Sequence, residues 1–138
     1  MIEKRRFQRL DIPVQLRVKL LGAPQYTQYF KAQTKNVFLE GLLIEMQVFL
    51  QNDDLLIQKG QNPIKLDPFL VLNEKWVELY LLVPPMNETV RATGKVAWYD
   101  IGSRGTLYYC RMGISLEKMG VEDGKKWLNF VSNTLATE

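Results

Sequence analysis

The feature that most constrains this 138-residue chain is a two-residue alternation of apolar and polar side chains that recurs along its length. It is cleanest over 13–21, where Val14, Leu16, Val18 and Leu20 fall on one face and Gln15, Arg17 and Lys19 on the other. A period of two places successive side chains on opposite faces of a half-buried β-strand. Pro13, which has no N–H, suits the first position of that strand. A second strand is predicted from about Thr27 to Val37, with Phe30, Ala32 and Thr34 opposing Tyr29, Lys31, Gln33 and Lys35. A third follows with Leu42, Ile44 and Met46 on one face, and a fourth covers about Trp76 to Val83 before Pro84-Pro85 ends it. The fifth runs from about Thr89 to Tyr99 and sets Val90, Ala92, Val96 and Trp98 on one side, with Gly94 marking a bulge or bend. Residues 100–105 read as a hairpin loop. The sixth strand, about Thr106 to Leu116, then aligns Tyr108, Cys110, Met112, Ile114 and Leu116.

The period changes at the C-terminus. From Val121 to about Leu135, Trp127, Val131 and Leu135 recur every four residues, so an amphipathic helix is expected to pack one face on the strands. Many short strands and one terminal helix favour a mainly β fold, a six-stranded antiparallel β-barrel with a C-terminal α-helix packed against it. Residues 47–75 fit this pattern less well. Polar breaks there separate apolar runs such as Leu55-Leu56-Ile57 and Phe69-Leu70-Val71-Leu72. Such a stretch is too apolar for a solvated loop. It reads either as extra strands or a short helix covering the barrel, or as a surface for a second chain, which leaves a homodimer open. The expected organisation is a basic arm over 1–12 and one domain over 13–138 with this insertion.

Composition removes most catalytic chemistry. The chain has no His and one Cys, so it lacks the usual general base, the usual zinc ligand and any internal disulfide. No Gly-rich phosphate loop follows a strand, and the acidic pairs Asp53-Asp54 and Glu122-Asp123 fit a loop and a helix start. No enzyme, no metal and no cofactor are expected. Cys110 lies in an apolar row and reads as a small buried residue. No apolar run is long enough to span a membrane and no apolar segment follows the N-terminal cations, so the expected location is the cytoplasm.

The net charge of +3 is small, but it is unevenly placed. Lys4, Arg5, Arg6 and Arg9 form a donor-rich arm ahead of the first strand, with Arg5 and Arg9 spaced R-x-x-x-R. Guanidinium forks bond phosphates and guanine edges bidentately. A solvated basic terminus without a partner is the plain alternative. Further on, Asn36, Phe38 and Gly41 fall in an N-x-F-x-x-G frame at the end of the second strand. Asn36 tolerates unusual backbone angles and Gly41 can take positive φ, as an ordinary turn would also require.

Taken together, Glu3-x-Arg5-Arg6-x-x-Arg9, the frame Asn36 to Gly41 followed by Leu42-Leu43-Ile44-Glu45, and the later Val96-Ala97-Trp98 and Gly113-Ile114-Ser115-Leu116 resemble a PilZ domain. The resemblance covers nearly the whole chain outside about 47–75. It implies a small β-barrel that binds the bacterial second messenger cyclic di-GMP and signals to a downstream protein. It also implies that Arg5 and Arg9 hold guanine and phosphate, that Arg6 and Lys4 add phosphate contacts, and that Asn36 and Gly41 present a turn to a guanine. Phe38 stands where the family has serine, and it can stack on the base or fill its slot. A degenerate domain acting only through protein contacts is the second reading. Nucleic acid is disfavoured as a partner, because only Tyr29 near Lys31 and Tyr109 near Arg111 hint at aromatics interleaved with cations.

Overall fold

The computed structural model describes residues 13–21, 29–51, 54–58, 64–65 and 75–137. Among the described residues, eight strands precede one helix. They are β1 (Gln15–Leu20), β2 (Phe30–Phe38), β3 (Gly41–Gln51), β4 (Asp54–Gln58), β5 (Ile64–Lys65), β6 (Trp76–Val83), β7 (Glu88–Arg104) and β8 (Leu107–Met119), and the helix is α1 (Val121–Thr137). Hydrogen bonding runs in the order β2-β1-β6-β7-β8-β3, and β2 also pairs with β3. These six strands therefore close into an antiparallel barrel, as the alternation predicts, while β4 and β5 extend from the far end of β3.

The alternation predicts the inside of the barrel well. Val14, Leu16 and Val18 of the first strand region, Leu42, Ile44 and Met46 of β3, and Val77, Leu79, Leu81 and Val83 of β6 are all buried. Each such side chain contributes about 1.5–3 kcal/mol relative to exposure. Thr34 is a buried polar residue in the barrel, and its hydroxyl accepts a hydrogen bond from the Val14 N–H at 2.7 Å. The Thr34 N–H donates in turn to the Val14 carbonyl at 3.0 Å.

Three expectations are corrected. Residues 100–105 are not a loop: β7 continues to Arg104 and the turn is Gly105-Thr106. The physical reason is β3, which runs on past the barrel rim, so that Gln47 and Val48 pair with Tyr109 and Tyr108 and support the long hairpin. Residues 47–51 accordingly belong to β3 rather than to an insertion, and two further strands follow it. Leu56 on β4 is buried, whereas Phe69 and Val71 lie outside the described residues. Tyr108, expected in the core row, is exposed because it sits near the hairpin end, while Cys110, Met112 and Ile114 behind it are buried.

Helix α1 opens with Glu122 and Asp123, whose charges favour a helix N-terminus. The Asp123 carboxylate accepts the Arg91 backbone N–H at 3.2 Å, tying the helix start to β7. Trp127, Phe130 and Val131 join the barrel core, and Leu128 faces solvent. Trp127 is 2% exposed, and its indole Nε1–H donates to the Leu39 carbonyl at 3.1 Å. Replacing it should therefore remove both packing and a hydrogen bond. Trp127→Ala is expected to cost about 3–5 kcal/mol in urea unfolding, while Leu128→Ala stays within about 0.5 kcal/mol of the parent.

Candidate functional site

Two β-bulges shape the site. A strand keeps its odd and even residues on opposite faces until an extra residue shifts the count. On β2 the register shifts between Thr34 and Asn36. Thr34 and Val37 both point into the core, which leaves Lys35 and Asn36 outside between them. On β7 the register shifts between Val96 and Trp98. Val96 is buried, while Ala97 and Trp98 are both exposed, Trp98 by 45%. This corrects the expectation that Trp98 faces the core. A further shift falls between Thr93 and Gly94, where the extra residue is Glu117 on β8, opposite the glycine.

The bulges bring their residues into one line across four strands. Asn36 pairs with Leu43, Leu43 with Gly113, and Gly113 with Trp98. Gly113 lets the line work, because a Cβ placed there would fall inside the Trp98 indole. The ring thus lies over the β8 backbone instead of standing off it. The next row holds Phe38, Gly41, Ser115 and Lys95. Between these rows lies an open cleft of about 240 Å³, walled in part by Asn36, Phe38, Leu43, Trp98 and Ser115, with Glu40 at its rim. Small-molecule pockets usually hold about 300–1,000 Å³, so this cleft is smaller than a usual complete pocket.

Phe38 and Gly41 flank a two-residue turn, Leu39-Glu40, that joins β2 to β3. Gly41 is not in the left-handed region, which among the described residues is taken only by Asn87 and Gly105. Gly41 thus does not use the positive φ that a glycine could take. The glycine is needed for room: a Cβ would stand 2.5 Å from the Ile114 carbonyl oxygen and 3.0 Å from Cζ of Phe38. The Phe38 ring packs back over its own turn. Both turn carbonyls are held from the C-terminal part of the chain. Leu39 O accepts the Trp127 indole, and Glu40 O accepts the Leu116 N–H at 2.9 Å.

The arm residues Lys4, Arg5, Arg6 and Arg9 lie outside the described residues. The paired bonds between Val14 and Thr34 do place the chain's entry into the barrel two residues from Asn36 along β2. Sequence reasoning missed Trp98, Leu43 and Ser115 as cleft walls. The available signal was Gly113, since a glycine within a strand marks close approach of another group.

Other reactive groups are accounted for structurally. Cys110 is fully buried, and burial first, then the charge of Asp100, pushes its thiol up to about 12. It is therefore held as an inert thiol at neutral pH. Burial, followed by a hydrogen bond to Glu78, holds the Tyr29 phenol protonated far above its ordinary range. Among the described residues no group of His, Cys, Asp and Glu could hold a metal ion, and no helix is long and apolar enough to cross a membrane.

The contact between Trp98 and Gly113 is directly testable. Gly113→Ala is expected to displace the indole, to shift the Trp98 indole N–H resonance, and to cost about 1–3 kcal/mol in unfolding. An unchanged Trp98 resonance would show that the ring does not rest on Gly113.

No family model and no curated protein sequence matches the chain. Solved structures do match in fold. The inhibitor of motility MotI/DgrA from Bacillus subtilis superposes with a TM-score of 0.60 at 11% identity over 99% of this chain and 54% of its own. The PilZ domain of YcgR from Escherichia coli, with c-di-GMP, gives 0.59 at 8% identity over 98% of this chain and 94% of its own. MrkH of K. pneumonia in complex with c-di-GMP gives 0.61 at 9% identity over 99% of this chain and 57% of its own. The chain thus spans about half the length of MotI/DgrA and MrkH and nearly all of the YcgR domain. At these identities the likeness concerns architecture, and in architecture the closed barrel with its terminal helix is PilZ-like.

Proposed function

We propose that the chain is a non-enzymatic receptor for cyclic di-GMP. The observation that carries this reading is the line Asn36–Leu43–Gly113–Trp98, which opens a cleft beside the point where the basic arm enters the barrel. Support also comes from the fold, because the YcgR and MrkH structures of this architecture hold c-di-GMP. Four residues separate Arg9 from Val14, five Cα–Cα steps that span at most about 17 Å. The forks of Arg5 and Arg9 are thus within reach of a phosphate lying at the cleft. Arg6 and Lys4 add outer phosphate contacts. Asn36 offers a donor and an acceptor to a guanine edge, Glu40 offers an acceptor at the rim, and Trp98 offers a stacking face.

Phe38 decides how much of this site is open. Its ring rests against Gly41 on the cleft wall, where the residue-by-residue resemblance would place a hydroxyl. That packing is the one observation favouring the second reading, a PilZ-like module that works through protein contacts without the nucleotide.

Isothermal titration of the full chain with cyclic di-GMP separates the two readings. The parent is expected to bind with Kd on the order of micromolar, the sum of several charge-assisted bonds less ordering costs. Arg5→Ala and Arg9→Ala each weaken binding by about 10- to 150-fold, and Arg6→Ala by less. Trp98→Ala weakens it by about 5- to 150-fold if a base stacks there. Phe38→Ser strengthens binding if the ring blocks the guanine and weakens it if the ring stacks. Silence from both the parent and the serine variant, with the fold intact, leaves the protein-contact module as the account.

A further inference from the structure

The opposite side of the barrel carries a pattern that the alternation alone hides. Across β2, β1, β6 and β7, register pairing sets Lys31, Arg17, Tyr80 and Arg91 in one outward row. Arg91 lies 4.9 Å from the Tyr80 ring centroid. One pleat along, Lys19 stands 5.5 Å from the Tyr29 ring, which meets Tyr80 edge-on at 5.1 Å between centroids. Further along β6, Trp76 is 38% exposed and flanked by Lys95 at 5.7 Å and Lys118 at 5.9 Å. An open cleft of about 550 Å³ runs over the first rows, between Arg17, Lys31 and the two tyrosine rings. Among the described residues Glu78 is the one carboxylate inside this field, and Glu117 and Asp123 lie at its margin.

We propose that this outer face docks single-stranded nucleic acid, with the Tyr80 and Trp76 rings stacking bases and the flanking cations meeting phosphates. Each ring has a cation beside it, on strands spaced about 4.8 Å across the sheet with same-face residues about 6.7 Å apart along it. A base has a π-face whatever its identity, so such a surface binds without reading sequence. The cations sit against the rings, where a stacked base can enter the same arrangement. A lipid surface fits less well, since Leu82 is the single large aliphatic group exposed on these rows among the described residues, and interfacial binding needs a broad apolar face. An acidic protein would meet the cations but leave the rings unused. The face centres on β1 and β6 and shares Lys95 with a row that borders the β3–β8 cleft, but it does not depend on the cyclic di-GMP reading.

Fluorescence anisotropy of the full chain with a labelled single-stranded oligonucleotide of about 12 nucleotides tests this. Binding is expected at about 50 mM salt and falls steeply with added salt, because phosphate neutralisation releases counterions. Joint Arg17→Ala and Lys31→Ala substitution lowers the slope of log affinity against log salt by about 1.4. Tyr80→Ala lowers affinity by about 5- to 150-fold with the slope unchanged, and Tyr80→Phe restores it because the ring suffices. Joint Arg5→Ala and Arg9→Ala substitution leaves binding in place. Absence of binding, indifference to Tyr80→Ala, loss on removing the arm cations, or equal binding to phosphatidylserine vesicles would each overturn the proposal.

Discussion

Closure of the sheet through the β2–β3 pairing is the constraint on which the rest of the molecule depends. A closed barrel has one inside, so every strand must present one parity of its side chains to it. That requirement places Leu16, Leu79, Ile44 and Met112 in one core and removes the open edges that an isolated sheet would carry. It also makes each bulge consequential. One extra residue on β2 turns Asn36 outward, and one on β7 turns Trp98 outward, while the strands on either side of each bulge still satisfy the core.

The site is thus a by-product of how the barrel bends. Bulges increase local twist and let a small barrel turn its corners. Here they also place an amide and an indole at the two ends of a row whose inner positions are Leu43 and Gly113. The turn beside that row has no unusual backbone angle to hold its shape. It is shaped instead by the Phe38 ring on Gly41 and by donors from Leu116 and Trp127.

Much of this is legible in the sequence. Strand β6 can be read there with its observed limits, alternation gives the core faces of β1 and β3, and the four-residue spacing of Trp127 and Val131 identifies the buried side of α1. The failures share a cause. Alternation carried forward without interruption puts Trp98 inside, because nothing local to Val96-Ala97-Trp98 announces an extra residue; the bulge is a property of β7 paired with β8. The same holds for the hairpin to Arg104, whose polar residues look like a loop until the long β3 is beside them. The basic rows on the outer face are nearly invisible in sequence for a related reason. Arg17, Lys31, Tyr80 and Arg91 come from four strands, and only pairing makes them neighbours.

The bond from Trp127 to Leu39 spans 88 positions of sequence, and it bears on the order in which the protein is completed. Synthesis runs from the N-terminus, so the residues of β2 and β3 emerge well before Leu116 and Trp127. Until then the carbonyls of Leu39 and Glu40 are hydrated, and the turn has only its own ring-on-glycine packing to define it. An element made later therefore finishes one made earlier. The turn beside the cleft has its full set of bonds only once both β8 and α1 are in place.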